Sequence, residues 1–160
     1  MENLIWAVLL WTVVLVLIPL ERLKELWIVG VVSFIWFFTI EFFFLGWGYY
    51  RFTHILISVA GVPIIQTIGA TAGGILLMNW MHRNSLFKVA LVTGFSGLLN
   101  LSEYIFIRLN AFVYGHGFNP LISFIQSVAM LSILVWVTLA LVGPEKIYGG
   151  NKTRFTKRYS

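Results

Sequence analysis

The sequence has no cysteine and no aspartate, and only 11% of its 160 residues are charged. Without cysteine there is no disulfide framework, no thiolate metal site, no Cys nucleophile and no iron–sulfur cluster. Without aspartate, all side-chain carboxylate chemistry rests on six glutamates: Glu2, Glu21, Glu25, Glu41, Glu103 and Glu145. The shortage of charge excludes most. Soluble domains average about 25% charged and about 45–50% apolar residues, whereas this chain is 59% hydrophobic with a mean hydropathy of +0.90. It has too little polar surface to cover a water-facing globule, and is expected to be a multi-pass protein of the cell membrane.

A helix needs about 20 predominantly apolar residues to cross a hydrocarbon core about 30 Å thick. Five stretches qualify, roughly 3–20, 26–46, 55–80, 88–109 and 120–142. They predict an all-α fold: a polytopic bundle of five transmembrane helices over residues 1–143, followed by a basic tail, 144–160. The first stretch is expected to be a retained helix, because Glu2 stands where a signal would carry Lys or Arg and no small-x-small cleavage site follows. The stretch 55–80 would be about 39 Å long as one helix, more than the core needs, so a kink or break is expected at Gly61–Pro63. Residues 53–61 are then open to helical, re-entrant or interfacial readings.

Lys and Arg orient the bundle. One side collects Arg22, Lys24, Arg83, Lys88, Lys146, Lys152, Arg154, Lys157 and Arg158; the other holds only Arg51 and Arg108. Nine against two places the N-terminus outside and the C-terminus in the cytoplasm. The net charge of +5 and pI near 9.8 follow from the same split. Five of the eleven cations lie in the tail, where a juxtamembrane basic segment is drawn to anionic lipid by about 1 kcal/mol per residue; nucleic acid is not an expected partner. The tail, with Gly149-Gly150 and few large aliphatics, is expected to be poorly ordered in isolation.

Lipid tails are as apolar as Leu, so helices in a bilayer associate through small residues and interhelical hydrogen bonds. Gly69, Gly73 and Gly74 in the third stretch, with Gly69 and Gly73 in GxxxG spacing, predict that this helix is central. Thr93, Ser96, Asn100 and Glu103 share one face of the fourth span, and Ser123, Gln126, Ser127 and Met130 one face of the fifth. With Ser33, Glu41 and Gln66 they are expected to meet inside the bundle. The run Phe34, Phe37, Phe38, Phe42, Phe43, Phe44 reads as lipid-facing bulk, and Trp47, Tyr49 and Tyr50 as an interfacial belt. Asn119-Pro120 reads as an N-cap with Pro at the first helical position.

Glu41 and Glu103 lie at matched depth, about 7–9 Å beneath the outer interface. An ionisable residue inside a span costs about 2.5–3.5 kcal/mol and is usually paired or functional. One reading is a polar pocket, open outward, in which the two carboxylates handle a proton or a cationic group, with Arg51, His54, Tyr104, Arg108 and His116 nearby. The other pairs Glu103 with Arg108 or Arg51, and Glu41 with a Ser, Gln or Tyr. No H-x-x-H, H-E-x-x-H, G-x-S-x-G, GxGxxG or P-loop spacing occurs, so neither a metal nor a cofactor is expected.

Pro19 before a charged first loop, Glu41 leading to Gly46-Trp47-Gly48-Tyr49-Tyr50-Arg51, Pro63 in the next apolar stretch, and Glu103 followed by an aromatic loop to Tyr114 make a pattern that resembles the small, largely uncharacterised five-helix membrane proteins of spore-forming Firmicutes. The resemblance implies a bacterial five-span fold and its topology, and transfers no catalytic role. The tryptophan-rich tetrapyrrole-binding sensory proteins are similar in length and span count, but their Pro- and Trp-rich loop signatures are absent here. The expected function is non-enzymatic: binding of a small or lipid-like ligand, or service as an accessory subunit, through the outward pocket. The chain would be a homo-oligomer or the partner of another membrane subunit. The alternatives are a small proton-coupled transporter or channel component with Glu41 and Glu103 on its path, and an intramembrane lipid- or isoprenoid-modifying enzyme.

Overall fold

The structure is a computed structural model that describes residues 2–149 and 153–154; the tail cations Lys152, Lys157 and Arg158 lie outside the described residues. The chain is mostly helical. In order, it forms α1 (Glu2–Leu17), α2 (Leu20–Glu25), α3 (Trp27–Gly46), β1 (Tyr50–Phe52), β2 (Ser58–Val59), β3 (Val62–Pro63), α4 (Ile64–Asn79), α5 (Ser85–Arg108), β4 (Phe112–Tyr114), α6 (Pro120–Val142) and α7 (Pro144–Tyr148). Three helices, α3, α5 and α6, are long and apolar enough to cross a membrane. The other two main helices, α1 and α4, are apolar but have 16 residues each, about 24 Å at 1.5 Å per residue.

The stretch 55–80 is not one helix. Ser58 pairs with Pro63 and Val59 with Val62 in an antiparallel hairpin. Its two turn residues, Ala60 and Gly61, have φ of +52° and +84°, the left-handed pair that a two-residue hairpin turn needs and that glycine adopts without steric cost. Pro63 then blocks any upstream continuation of the helix, because it has no N–H and its ring clashes with a preceding turn. Thus α4 starts at Ile64, and residues 53–61 are loop and hairpin, with Ile55, Leu56, Ile57 and Val59 exposed.

The polar connections also fold. Asn84 caps α5, accepting from the N–H groups of Leu86 and Phe87 at 2.9 and 3.3 Å, which draws Lys88 out of the loop and into the helix. Asn119 caps α6 in the same way, at 3.0 and 3.1 Å from Leu121 and Ile122, with Pro120 next. The start of the tail forms α7, which packs on the bundle and buries Ile147 completely. It is held by Arg22, a cation of the charged first loop that is only 2% exposed. The Arg22 guanidinium donates to the carbonyls of Lys146 and Ile147 at 2.6 and 2.8 Å, to Asn79 Oδ1 at 3.3 Å and to Glu25 at 2.8 Å. Carbonyls at a helix C-terminus have no intrahelical partner and attract cationic donors. Arg154 serves α1 likewise, its backbone N–H and Nε reaching the carbonyls of Leu17 and Ile18 at 3.0 and 3.2 Å.

α4 sits between α1 and α3, with Thr67, Gly69, Thr71, Ala72 and the run Gly74 to Asn79 buried. Two of its glycines permit that approach on different faces. A Cβ on Gly69 would lie 3.1 Å from Ala7 Cα in α1, and one on Gly74 would lie against Ser33 Oγ and 2.8 Å from Ser33 Cβ in α3. At Gly73 nothing lies within 4 Å, so the close contacts do not follow the Gly69–Gly73 spacing. Indole donors add hydrogen bonds between helices: Trp11 Nε1 to Ile68 O at 3.0 Å, and Trp36 Nε1 to Met130 O at 3.1 Å. Toward the α2/α7 end the interior is filled by Val14, Ile18, Leu26, Leu77, Met78 and Leu134, none with exposed surface.

Candidate functional site

At the opposite end of the bundle, the chain leaving α3 and the chain leaving α5 pair as an antiparallel ribbon. Tyr50 faces Tyr114, Arg51 faces Val113, and Phe52 faces Phe112. Side chains alternate across a strand, so Tyr50, Phe52 and Phe112 turn inward, over the ends of the helices, while Arg51 and Val113 are exposed. The inward rings pack with centroids 5.2 to 5.9 Å apart, and Phe118 and Phe44 extend the cluster. The ribbon roofs a cavity.

That cavity has a volume of about 80 Å³, room for several waters. Phe37 and Glu41 reach it from α3, Gln66 from α4, Ser102, Glu103 and Phe106 from α5, and Gln126 and Ser127 from α6. Glu41 accepts a hydrogen bond from Thr67 Oγ1 at 2.9 Å. Glu103 Oε2 accepts two, from Tyr114 OH and Ser123 Oγ, each at 2.6 Å. Burial, and then the neighbouring Glu41 and Glu103 carboxylates, push the Tyr50 hydroxyl well above its ordinary pKa. Burial, and then its bond to Glu103, push Tyr114 up as well. Both phenols therefore stay protonated at neutral pH, Tyr114 as a donor.

Two of the lining residues, Gln66 and Ser127, carry a polar atom without a partner among the described residues. Gln66 Oε1 is buried without a hydrogen bond, and Ser127, only 4% exposed, makes none among the described residues. Buried polar groups are normally satisfied, and an orphan is costly. Among the described residues no Lys or Arg lines the cavity.

The other charged residues singled out in the sequence lie elsewhere. Arg108 donates from Nε and Nη2 to Tyr104 OH at 3.0 and 2.6 Å, on the exposed face of α5, and does not pair with Glu103. The reason is helical phase: position 104 is four residues before 108 and shares its face, whereas 103 is five before and points elsewhere. Arg51 is on the outer face of the ribbon and His116 is beside it in a separate surface hollow; strand alternation keeps Arg51 from Glu103. His54 Nδ1 lies 3.4 Å from the Glu2 carboxylate, and its carbonyl accepts from Asn3 Nδ2 at 3.4 Å. Thus Glu41 and Glu103 share one cavity, while Arg51, His54, Tyr104, Arg108 and His116 lie outside it. The Phe run divides too: Phe42 and Phe43 are exposed, but Phe37 lines the cavity.

Sequence reasoning missed the roof and the Thr67 donor. The alternation in Tyr50-Arg51-Phe52 and Phe112-Val113-Tyr114, aromatic about a central outward residue, was the available signal for two strands. Comparison of the chain with protein-family models, with curated proteins and with solved structures gives no match.

Proposed function

We propose that the protein is a multi-pass membrane protein in which α1, α3, α4, α5 and α6 cross the bilayer, with the N-terminus outside and the C-terminus cytoplasmic, and that it binds a small ligand in the cavity beneath the ribbon. It acts as a binding protein or accessory subunit rather than as an enzyme. The orientation rests on the nine-to-two split of cations. The short α4 has most of its residues buried, and the exposed Ile55, Leu56, Ile57 and Val59 that precede it suit the outer interface.

One observation carries the binding reading: two carboxylates and unpartnered polar groups gathered in one cavity among apolar helices. Placing each carboxylate there costs about 2.5–3.5 kcal/mol, and the hydroxyl donors from Thr67, Tyr114 and Ser123 engage only one oxygen of each, which leaves acceptor capacity for a guest. The filled interior toward α2 and α7 favours a closed-ended site over a conducting path.

Because the chain has no cysteine, single-cysteine variants give an unambiguous topology test. An impermeant maleimide on intact cells should label Val113→Cys and leave Glu145→Cys unlabelled; the reverse pattern refutes the orientation. Native mass spectrometry of the purified protein should show a non-protein adduct of defined mass or a co-purifying subunit. An empty monomer that survives mild extraction refutes the binding function.

A further inference from the structure

We infer that the guest of the cavity is a primary ammonium group, carried by a small free amine or by the ethanolamine head group of a lipid. This deepens the binding reading above and rests on it. The chemistry follows from what the walls offer and lack. Glu41, Glu103, Gln66 and Ser127 all line the space, and Glu41 Oε1, Glu103 Oε1, Gln66 Oε1 and the Ser127 hydroxyl have no donor assigned to them among the described residues. Among the described residues no cationic side chain lines the cavity to balance the carboxylates.

A guest that matches this lining carries positive charge and several N–H donors. An ammonium group has three donors and no acceptor, and a lining that includes the aromatic residues Tyr50, Phe52 and Phe112 suits a cation, which an aromatic face attracts. A quaternary ammonium would use the rings but has no N–H, leaving Gln66 Oε1 and Ser127 unpaired. A divalent metal ion would want six or more oxygen ligands, and nine of the fifteen lining residues are aromatic or apolar. Glu103 is already held by two hydroxyl donors and Glu41 by one, so Glu41 is the principal counter-ion.

The test uses the full chain in phosphatidylcholine nanodiscs, titrated at constant ionic strength with methylammonium, tetramethylammonium and potassium while thermal unfolding is followed. Methylammonium should raise the unfolding temperature saturably, and the other two should not. Glu41→Gln, which keeps the size and can still accept from Thr67, should weaken methylammonium binding by about tenfold or more, and Gln66→Leu should weaken it by a smaller factor. In a second arm, native mass spectrometry from nanodiscs of mixed phosphatidylethanolamine and phosphatidylcholine separates the two sources. Retention of one phosphatidylethanolamine, lost in Glu41→Gln, assigns the head group; saturable methylammonium binding without that retention assigns a free amine. An equal response to methylammonium, tetramethylammonium and potassium overturns the inference, as does no response in either arm. A neutral or anionic guest found in the cavity overturns the amine assignment while leaving the binding function intact, whereas a cavity that holds nothing overturns both.

Discussion

Adjacent glycines in α4 should respond oppositely to the same substitution. Both Gly73 and Gly74 are helical, so replacing either with Ala brings the same helix-propensity gain, about 1 kcal/mol. That term cancels in the difference between the variants and leaves only the contact. A Cβ at Gly73 meets nothing within 4 Å, whereas one at Gly74 meets Ser33 Oγ and comes within 2.8 Å of Ser33 Cβ. Overpacking of this kind costs about 1–3 kcal/mol. Gly73→Ala should therefore be as stable as the wild type or slightly more so, and Gly74→Ala less stable than Gly73→Ala by about 1–3 kcal/mol. For a chain of this size that is a separation of roughly 2–12 °C in Tm. Thermal unfolding in one detergent, followed by tryptophan fluorescence, measures it. A double-mutant cycle sharpens the result. Ser33 Oγ is buried without a partner, so Ser33→Ala alone should cost little, and combined with Gly74→Ala it should recover part of the loss because only the Cβ contact remains. Equal Tm values for the two glycine variants, or strict additivity in the cycle, would refute the close α3–α4 approach.

Two further perturbations test the ends of the bundle. Arg22→Met removes the guanidinium that serves the carbonyls of Lys146 and Ile147, and should cost about 1–3 kcal/mol for a buried acceptor left unsatisfied and make the tail more sensitive to trypsin after Lys146; Arg22→Lys should recover only part, because a single ammonium lacks the planar fork. Unchanged proteolysis in Arg22→Met would show that α7 is held by something else. At the other end, Tyr114→Phe leaves Glu103 with one donor fewer and should cost about 1–3 kcal/mol in equilibrium unfolding, with Ser123→Ala giving a similar loss; a Tyr114→Phe variant of wild-type stability contradicts the 2.6 Å bond.

The two ends are built on different chemistry. Around Arg22 and Arg154 the cations serve as helix caps, satisfying carbonyls that apolar surroundings would leave stranded. Under the ribbon, carboxylates and amides converge without cations, and their unused hydrogen-bonding capacity is what distinguishes a site from a cap. Both arrangements use residues that a count of charges by loop treats alike.

Composition alone established the apolar helical character, because hydrophobic content is a sum over residues and needs no partners. The helix start at Asn119 and a break at Gly61–Pro63 were also legible, since capping and proline exclusion act within a few residues, whereas the cap at Asn84, which starts α5 three residues before the expected span, was not read. Periodicity placed Glu41, Gln66, Glu103, Gln126 and Ser127 on inward faces, and all five line one cavity. The partners of those groups were not legible. Whether Glu103 meets Arg108, Tyr114 or Ser123 depends on helical phase and on a ribbon joining residues some 60 positions apart, and short strands of three residues leave little pattern in one dimension. The burial of Arg22 was hidden for the same reason: in sequence it is a loop cation, and only the approach of α7, more than 120 residues later, turns it into a cap. Local chemistry is written along the chain, whereas the pairing of buried polar groups is decided by which distant segments the packing brings within hydrogen-bonding distance.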